Sequence, residues 1–384
     1  MNPVITAIPG SLIRAINEAK RPGDIDLGLG EPTLAPPLAP FEAATAWVRE
    51  HGCPYSPNAG FGELREAIAR CFNYPDLNSV SNVCVTVGSQ EALYLAIKSL
   101  LNPATDSVLI VAPCYGAYAK LCALENLRHR EVVLDAKTGF APSAEAVLAA
   151  LTPDTRLIIL ASPNNPTGRI WPRHELVKLA DGLLARPGAP VYVLLDEVYL
   201  ALHYQETPPT SLASLYPHTL VAGSLSKSHA LTGLRLGWLM GTDHAITAAI
   251  KLHQFVNTAA STFSQRVAIA ALQDPAGLTI HQPHYRQQRT LLLEQLQRHA
   301  LPHIPPEGGF YVMLPLPDNV AHDSLAAARS LLESTRVVTI PGLAFGAEGF
   351  LRLSWVCSPE ELITALERIA LFFAEVEQHQ RDIG

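Results

Sequence analysis

Ser224-Leu225-Ser226-Lys227, followed by Gly233-Leu234-Arg235-Leu236-Gly237-Trp238, is the stretch from which the rest of the chain can be read. An apolar run, Thr219-Leu220-Val221-Ala222-Gly223, delivers the serines to a turn, and Arg235 stands eight residues past the lysine. A primary amine beside hydroxyls and a guanidinium suits a phosphorylated aldehyde. The amine condenses with the carbonyl, while the hydroxyl and the planar fork hold the phosphate. Most lysines are solvated surface charges, so Lys227 gains meaning only from company elsewhere in the chain.

Three further segments supply that company. Ala161-Ser162-Pro163-Asn164-Asn165-Pro166-Thr167-Gly168 follows the apolar run Leu157-Ile158-Ile159-Leu160. Val191-Tyr192-Val193-Leu194-Leu195-Asp196-Glu197-Val198-Tyr199 is a buried-strand pattern ending in a carboxylate and a phenol. Both put polar groups just past the C-terminal end of a strand, where open α/β sheets place their ligands. Val83-Cys84-Val85-Thr86-Val87-Gly88-Ser89-Gln90-Glu91 reads as strand, tight turn and helix start, with free backbone N–H groups suited to an anion.

In this order and spacing the segments resemble the fold-type I pyridoxal-phosphate enzymes, specifically the class I/II aminotransferases. The resemblance runs over nearly the whole chain. It also takes in Leu27-Gly28-Leu29-Gly30-Glu31-Pro32, the stretch from Tyr55 to Arg65, Pro113-Cys114-Tyr115, Glu307-Gly308-Gly309-Phe310-Tyr311, and Pro341-Gly342 through Arg352. It implies a large domain, residues 41–284, with a mostly parallel seven-stranded sheet between helices. A smaller, discontinuous α+β domain would be built from residues 1–40 and 285–384.

The resemblance also assigns roles. Lys227 is the Schiff-base lysine, and its amine moves the proton at the substrate Cα. Asp196 partners the pyridine nitrogen of pyridoxal 5'-phosphate, and Tyr199 with Asn165 reaches the 3' oxygen. Ser224, Arg235, Ser89 and Gln90 bind the phosphate, with Ser226 the less specific of the two serines. Tyr115 matches the aromatic that stacks on the pyridine face. Tyr55 resembles the tyrosine contributed across a homodimer interface. Gly30, Asn165 and Arg352 match the substrate-binding positions; a guanidinium in the strand-like run Phe350-Leu351-Arg352-Leu353 needs a bidentate partner, and a substrate α-carboxylate offers one. His229, two residues past the lysine, reads as packing.

Alternating patterns agree with an α/β fold. Strand-like runs fall at 83–87, 108–112, 157–161, 191–195 and 220–222, with helical stretches at 89–101, 143–150 and 173–184. Residues 245–299 carry no strand signal and read as helices. Beyond them, strands at 311–314, 337–340 and 350–355 bracket helical runs. Proline clusters at Pro36, Pro37, Pro40 and at Pro302, Pro305, Pro306 mark the expected domain joints.

Composition sets the remaining bounds. The chain has 384 residues, 48% hydrophobic and 16% charged, enough to bury a large core. A net charge of −7 offers no basic face for nucleic acid or an anionic membrane. The six cysteines lack Cys-x-x-Cys spacing and read as reduced core residues of a cytoplasmic protein; the histidines show no metal-site spacing, so no metal is expected. Ser11-Leu12-Ile13-Arg14-Ala15-Ile16 reads as a short capped helix rather than part of a signal peptide.

The expected activity is transfer of an amino group from an L-amino acid to a 2-oxo acid, 2-oxoglutarate by resemblance, in a ping-pong cycle. Two alternatives stand beside it. One is a C–S β-lyase releasing pyruvate and ammonia, and the other is an aminotransferase-like ligand-binding module.

Overall fold

Runs such as Leu157-Ile158-Ile159-Leu160 have no polar side to turn toward water, so they belong in strands covered on both faces. In the computed structural model, which describes residues 3–273 and 275–383, they form the middle of the main sheet. In chain order the strands are β1 (Ile25–Asp26), β2 (Val83–Thr86), β3 (Ser107–Ala112), β4 (Arg128–Val133), β5 (Thr155–Ala161) and β6 (Tyr192–Asp196). They continue with β7 (Thr219–Ser224), β8 (Gly237–Met240), β9 (Tyr311–Pro315), β10 (Val337–Val338), β11 (Ile340–Pro341) and β12 (Phe350–Ser354).

Seven of these make one sheet in the order β2-β8-β7-β6-β5-β3-β4. All its pairings are parallel except the two made by β8, which runs antiparallel to β2 and β7. Parallel neighbours need crossover helices, and these cover the two faces. One face packs Leu93, Ile97 and Leu121 over Ile110, Ile159 and Leu194. The other packs Leu176, Leu179 and Leu183 over Ile158, Leu160 and Val193.

The connections that leave the C-terminal strand ends set the site. Parallel strands point their C-terminal ends the same way, so the turns after β2, β3, β5, β6 and β7 gather along one edge of the sheet. Those turns carry Ser89, Tyr115, Asn165, the Asp196 end and Lys227 in that chain order.

A second, three-stranded antiparallel sheet has the order β11-β12-β9, and β1 pairs with β10 in a short parallel ribbon. The C-terminal helix Pro359–Ile383 packs beneath. Its Leu362, Ala365, Leu366, Ile369, Phe372 and Phe373 recur at helical spacing and enter one core with Phe310, Val312, Leu314 and Leu353. Tyr199 and Leu202, which follow β6, enter this same core, so the end of the main sheet is fixed against the second one.

Three strands escape a reading by pattern, one of them the two-residue β1. β4 is an edge strand with exposed Arg128, Arg130 and Glu131, so it lacks a buried stripe. β8 is a four-residue apolar run whose glycine-rich approach reads as a turn motif. The expected run at 337–340 is interrupted and forms the two short strands β10 and β11. Residues 245–299 are helical as expected, through Asp243–Val256, Thr262–Ala271 and Gln282–Arg298. Among the described residues no helix is long and apolar enough to cross a membrane.

Candidate active site

The converging turns line a cleft of about 600 Å3. Gly30, Ser89, Gln90, Tyr115, Asn165, Asp196, Tyr199, Lys227, Arg235 and Arg352 all reach it. Of the residues singled out by sequence, Ser224 and Tyr55 do not. Ser224 is buried behind the wall, capping the helical turn Leu225–Ser228. Its Oγ donates to the Leu236 carbonyl at 2.8 Å and lies 2.7 Å from Ser226 Oγ, and Ser226 is the serine that faces the cleft. Tyr55 is 89% exposed, on the outer surface of the chain.

Lys227 Nζ donates to the Gly30 carbonyl at 2.7 Å and makes no ion pair with any described residue. Gly30 itself is held to zero side chain by close approach: a Cβ there would sit 1.6 Å from Tyr311 Oη. The Tyr311 hydroxyl lies 2.9 Å from that of Tyr199.

Asp196 is buried at the end of β6. Burial raises its carboxyl pKa, and hydrogen bonds to the ionised form oppose the rise: Tyr118 Oη donates at 2.8 Å and the Val198 N–H at 3.2 Å. Tyr118, on the helix Ala117–Leu124, was not singled out by sequence reasoning. The available signal was its place one helical turn past Tyr115, in the segment that begins Pro113-Cys114-Tyr115.

Arg235 has a left-handed backbone (φ 51°), and its guanidinium lies against Gly88, where a Cβ would approach Nη2 to 2.6 Å. Gly88 opens the helix Gly88–Leu100 with φ +74° and with no side chain capping the first turn. Arg235 donates to the Thr232 carbonyl at 3.0 Å and pairs with no carboxylate among the described residues. A free guanidinium beside an uncapped helix start is a site for a phosphate dianion.

Arg352, in the middle strand of the second sheet, is 2% exposed. It donates to Asn165 Oδ1 at 3.1 Å and to the Gly28 carbonyl, and its carbon Cζ stands 4.2 Å from the Tyr311 ring centroid. It too has no carboxylate partner among the described residues, and its Nε is unsatisfied. Asp196 and Glu31 are the acids lining the cleft, and Glu31 accepts the Thr232 hydroxyl at 2.6 Å.

Comparison with known proteins matches this arrangement over most of the chain. The family model "Aminotransferase class I and II" matches residues 23–369. The chain is a class I/II aminotransferase. It is similar to the aspartate aminotransferase of Pyrococcus horikoshii, 33% identical over 95% of both chains. It is also similar to the aspartate/prephenate aminotransferase of Thermus thermophilus, 33% identical over 90% of both. Among solved structures, the Thermus thermophilus aspartate aminotransferase with maleate superposes with a TM-score of 0.90 at 33% identity, covering 97% of this chain and 99% of that one. The fold is therefore fold-type I, the protein is a transaminase, and enzymes of this kind use pyridoxal 5'-phosphate.

The residues of this aminotransferase fit that cofactor on their own chemistry. An unpaired Arg235 beside open helix N–H groups suits its phosphate, and the buried Asp196 suits a cationic pyridine nitrogen. An amine bonded only to a carbonyl suits its aldehyde.

Proposed function

We propose that this aminotransferase moves the amino group of an L-amino acid to a 2-oxo acid, 2-oxoglutarate serving as acceptor, with donor and acceptor using the one cleft in turn. The observation that carries the reading is Arg352. A buried guanidinium without a carboxylate partner costs several kcal/mol to keep, and a substrate α-carboxylate removes that cost. Both donor and acceptor own such a carboxylate, so one arginine serves both halves of a ping-pong cycle.

When bound, pyridoxal 5'-phosphate supplies the electron sink that acidifies the substrate Cα–H. The chain's own residues do the rest. Arg235, Ser226 and the backbone N–H groups of Ser89 and Gln90 hold the phosphate. Asp196, whose ionised form the Tyr118 hydrogen bond favours, holds a proton on the pyridine nitrogen. Tyr115 covers the ring, and Tyr199 with Asn165 holds the phenolic oxygen. Lys227 takes the proton from Cα and returns it.

Tyr55 extends this reading to a homodimer: an aromatic side chain so exposed is suited to entering the cleft of a second copy. The division into residues 41–284 and residues 1–40 with 285–384 belongs to the same proposal.

The test is the absorbance of the purified, cofactor-loaded protein with single amino acids and no acceptor. Bleaching of the yellow colour, with one oxo acid released per site, followed by recovery on adding 2-oxoglutarate, is the expected result. A colour that persists while pyruvate and ammonia accumulate over many turnovers overturns it in favour of a lyase.

A further inference from the structure

Tyr311 is buried, lines the cleft and has no part in the reading above. It opens β9, and the register of the second sheet decides what it touches. Arg352 of β12 stands opposite Met313, and Ser354 stands opposite Tyr311. Alternate residues of a strand share a face, so Tyr311 and Arg352 are diagonal neighbours on one face, within reach for long side chains. The Arg352 guanidinium carbon accordingly lies 4.2 Å from the Tyr311 ring centroid and 4.7 Å from that of Phe345. Aromatic faces hold a buried guanidinium in place without neutralising it, which leaves its charge for a ligand.

The far end of the same side chain is equally constrained. The Tyr311 hydroxyl packs against Gly30, the residue whose carbonyl receives Lys227, with no room for a side chain between them. Its hydrogen-bond partner among the described residues is Tyr199, at 2.9 Å. Two phenols share that bond, and one hydrogen fills it. With the Tyr199 hydrogen given to the cofactor's phenolic oxygen, Tyr311 has to be the donor to Tyr199. Burial, and after it the neighbouring Tyr311, push the Tyr199 phenol well above its ordinary pKa, so Tyr199 keeps a hydrogen to give. Arg352, Tyr115 and Tyr285 are the other charged or titratable groups that face Tyr311, and no carboxylate among the described residues bonds to its hydroxyl.

We propose that Tyr311 is a positioning residue for the reaction: its hydroxyl donates to Tyr199 and commits the Tyr199 hydrogen to the cofactor's phenolic oxygen, while its ring seats Arg352 for the substrate carboxylate. The proposal rests on the transamination reading and adds a residue to it. One side chain thereby joins the group that binds substrate to the group that holds the oxygen beside the reacting centre.

A donor to the phenolic oxygen favours the form in which that oxygen bears its negative charge, and so lowers the pH at which added alkali removes the yellow colour. Weakening the donor raises that pH. The test is this titration on the cofactor-loaded protein with no substrate present. Tyr199→Phe should move the midpoint up by about one pH unit or more, and Tyr311→Phe, which keeps the ring, by roughly 0.5–1 pH unit. The double variant should match Tyr199→Phe to within about 0.3 pH unit, because Tyr311 reaches the oxygen only through Tyr199. Tyr311→Phe should also leave KM for the amino acid within about twofold, whereas Tyr311→Leu, which removes the ring, should raise it about tenfold.

A wild-type midpoint in Tyr311→Phe, where Tyr199→Phe shifts, overturns the proposal and needs no other variant of Tyr311 to fold. Shifts that simply add in the double variant overturn it equally. An unmoved KM in Tyr311→Leu overturns the seating of Arg352. A wild-type midpoint in Tyr199→Phe removes Tyr199 from the phenolic oxygen, and Tyr311 with it. Midpoints that shift as expected, in a protein whose colour no amino acid discharges, uphold Tyr311 and sink the transamination reading alone.

Discussion

Tyr118 donates its phenolic hydrogen to Asp196 Oδ2 at 2.8 Å, both groups being buried. The strand end that carries Asp196 and the helix that carries Tyr118 are thereby tied at the floor of the cleft. Burial alone would push Asp196 toward its neutral form, which is useless for holding a proton on a pyridine nitrogen. The phenol opposes that shift by bonding to the ionised form.

Tyr118→Phe removes this opposition, so Asp196 should take up its proton at higher pH. The acid limb of the kcat–pH profile should move upward, and kcat at neutral pH should fall by about tenfold, the net worth of one such hydrogen bond. A profile that keeps its acid limb would show that Tyr118 only packs.

Lys227→Ala should lower turnover by at least about 10^4-fold, as expected for removal of a covalent and proton-transferring group. The cofactor should then leave on dialysis. Retention of normal turnover would remove Lys227 from the chemistry altogether.

The chemistry was more legible in the sequence than the packing around it. Lys227, Asp196 and Arg352 stand at the ends or middles of apolar strands, where a charged residue is costly and so conspicuous. The C-terminal ends of the parallel strands then gather Lys227 and Asp196, while Arg352 comes to them from the second, antiparallel sheet. Ser224 and Ser226 were harder. Both lie in one short turn, and only the three-dimensional course of that turn sends Ser224 behind the wall, to the Leu236 carbonyl, and Ser226 into the cleft. Tyr118 was missed because a helical tyrosine is ordinarily core, and its partner lies 78 residues away.

Arg235 and Gly88 make a second testable pair. Arg235→Gln keeps a hydrogen-bond donor but removes the charge, and should weaken cofactor binding by roughly tenfold to a hundredfold. Gly88→Ala should weaken it too, because the new methyl group meets the guanidinium at a backbone angle that disfavours any side chain. Titration of the cofactor-free protein with pyridoxal 5'-phosphate, followed by absorbance, measures both. Unchanged affinity in the two variants would move the phosphate away from this corner.

Glu197, next to Asp196, is buried and accepts a hydrogen bond from Tyr74. Burial raises its pKa to about 7; the neighbouring Asp196 adds to the rise, while Tyr74 and Ser211 oppose it. Below about pH 4.5 the carboxyl is protonated whether the chain is folded or not, and it contributes no pH dependence. As pH rises toward 7 the unfolded chain ionises it while the folded chain keeps the proton. Stability is therefore lost across that window, by a few kcal/mol at most, and the loss levels off above it. Glu197→Gln keeps an acceptor for Tyr74 and cannot ionise. The urea midpoint of the variant should gain on the wild type as pH goes from 4.5 to 7 and run parallel above that range. A difference that stays flat across the window would mean that Glu197 titrates as an ordinary exposed carboxylate, and that its pairing with Tyr74 does not persist in solution.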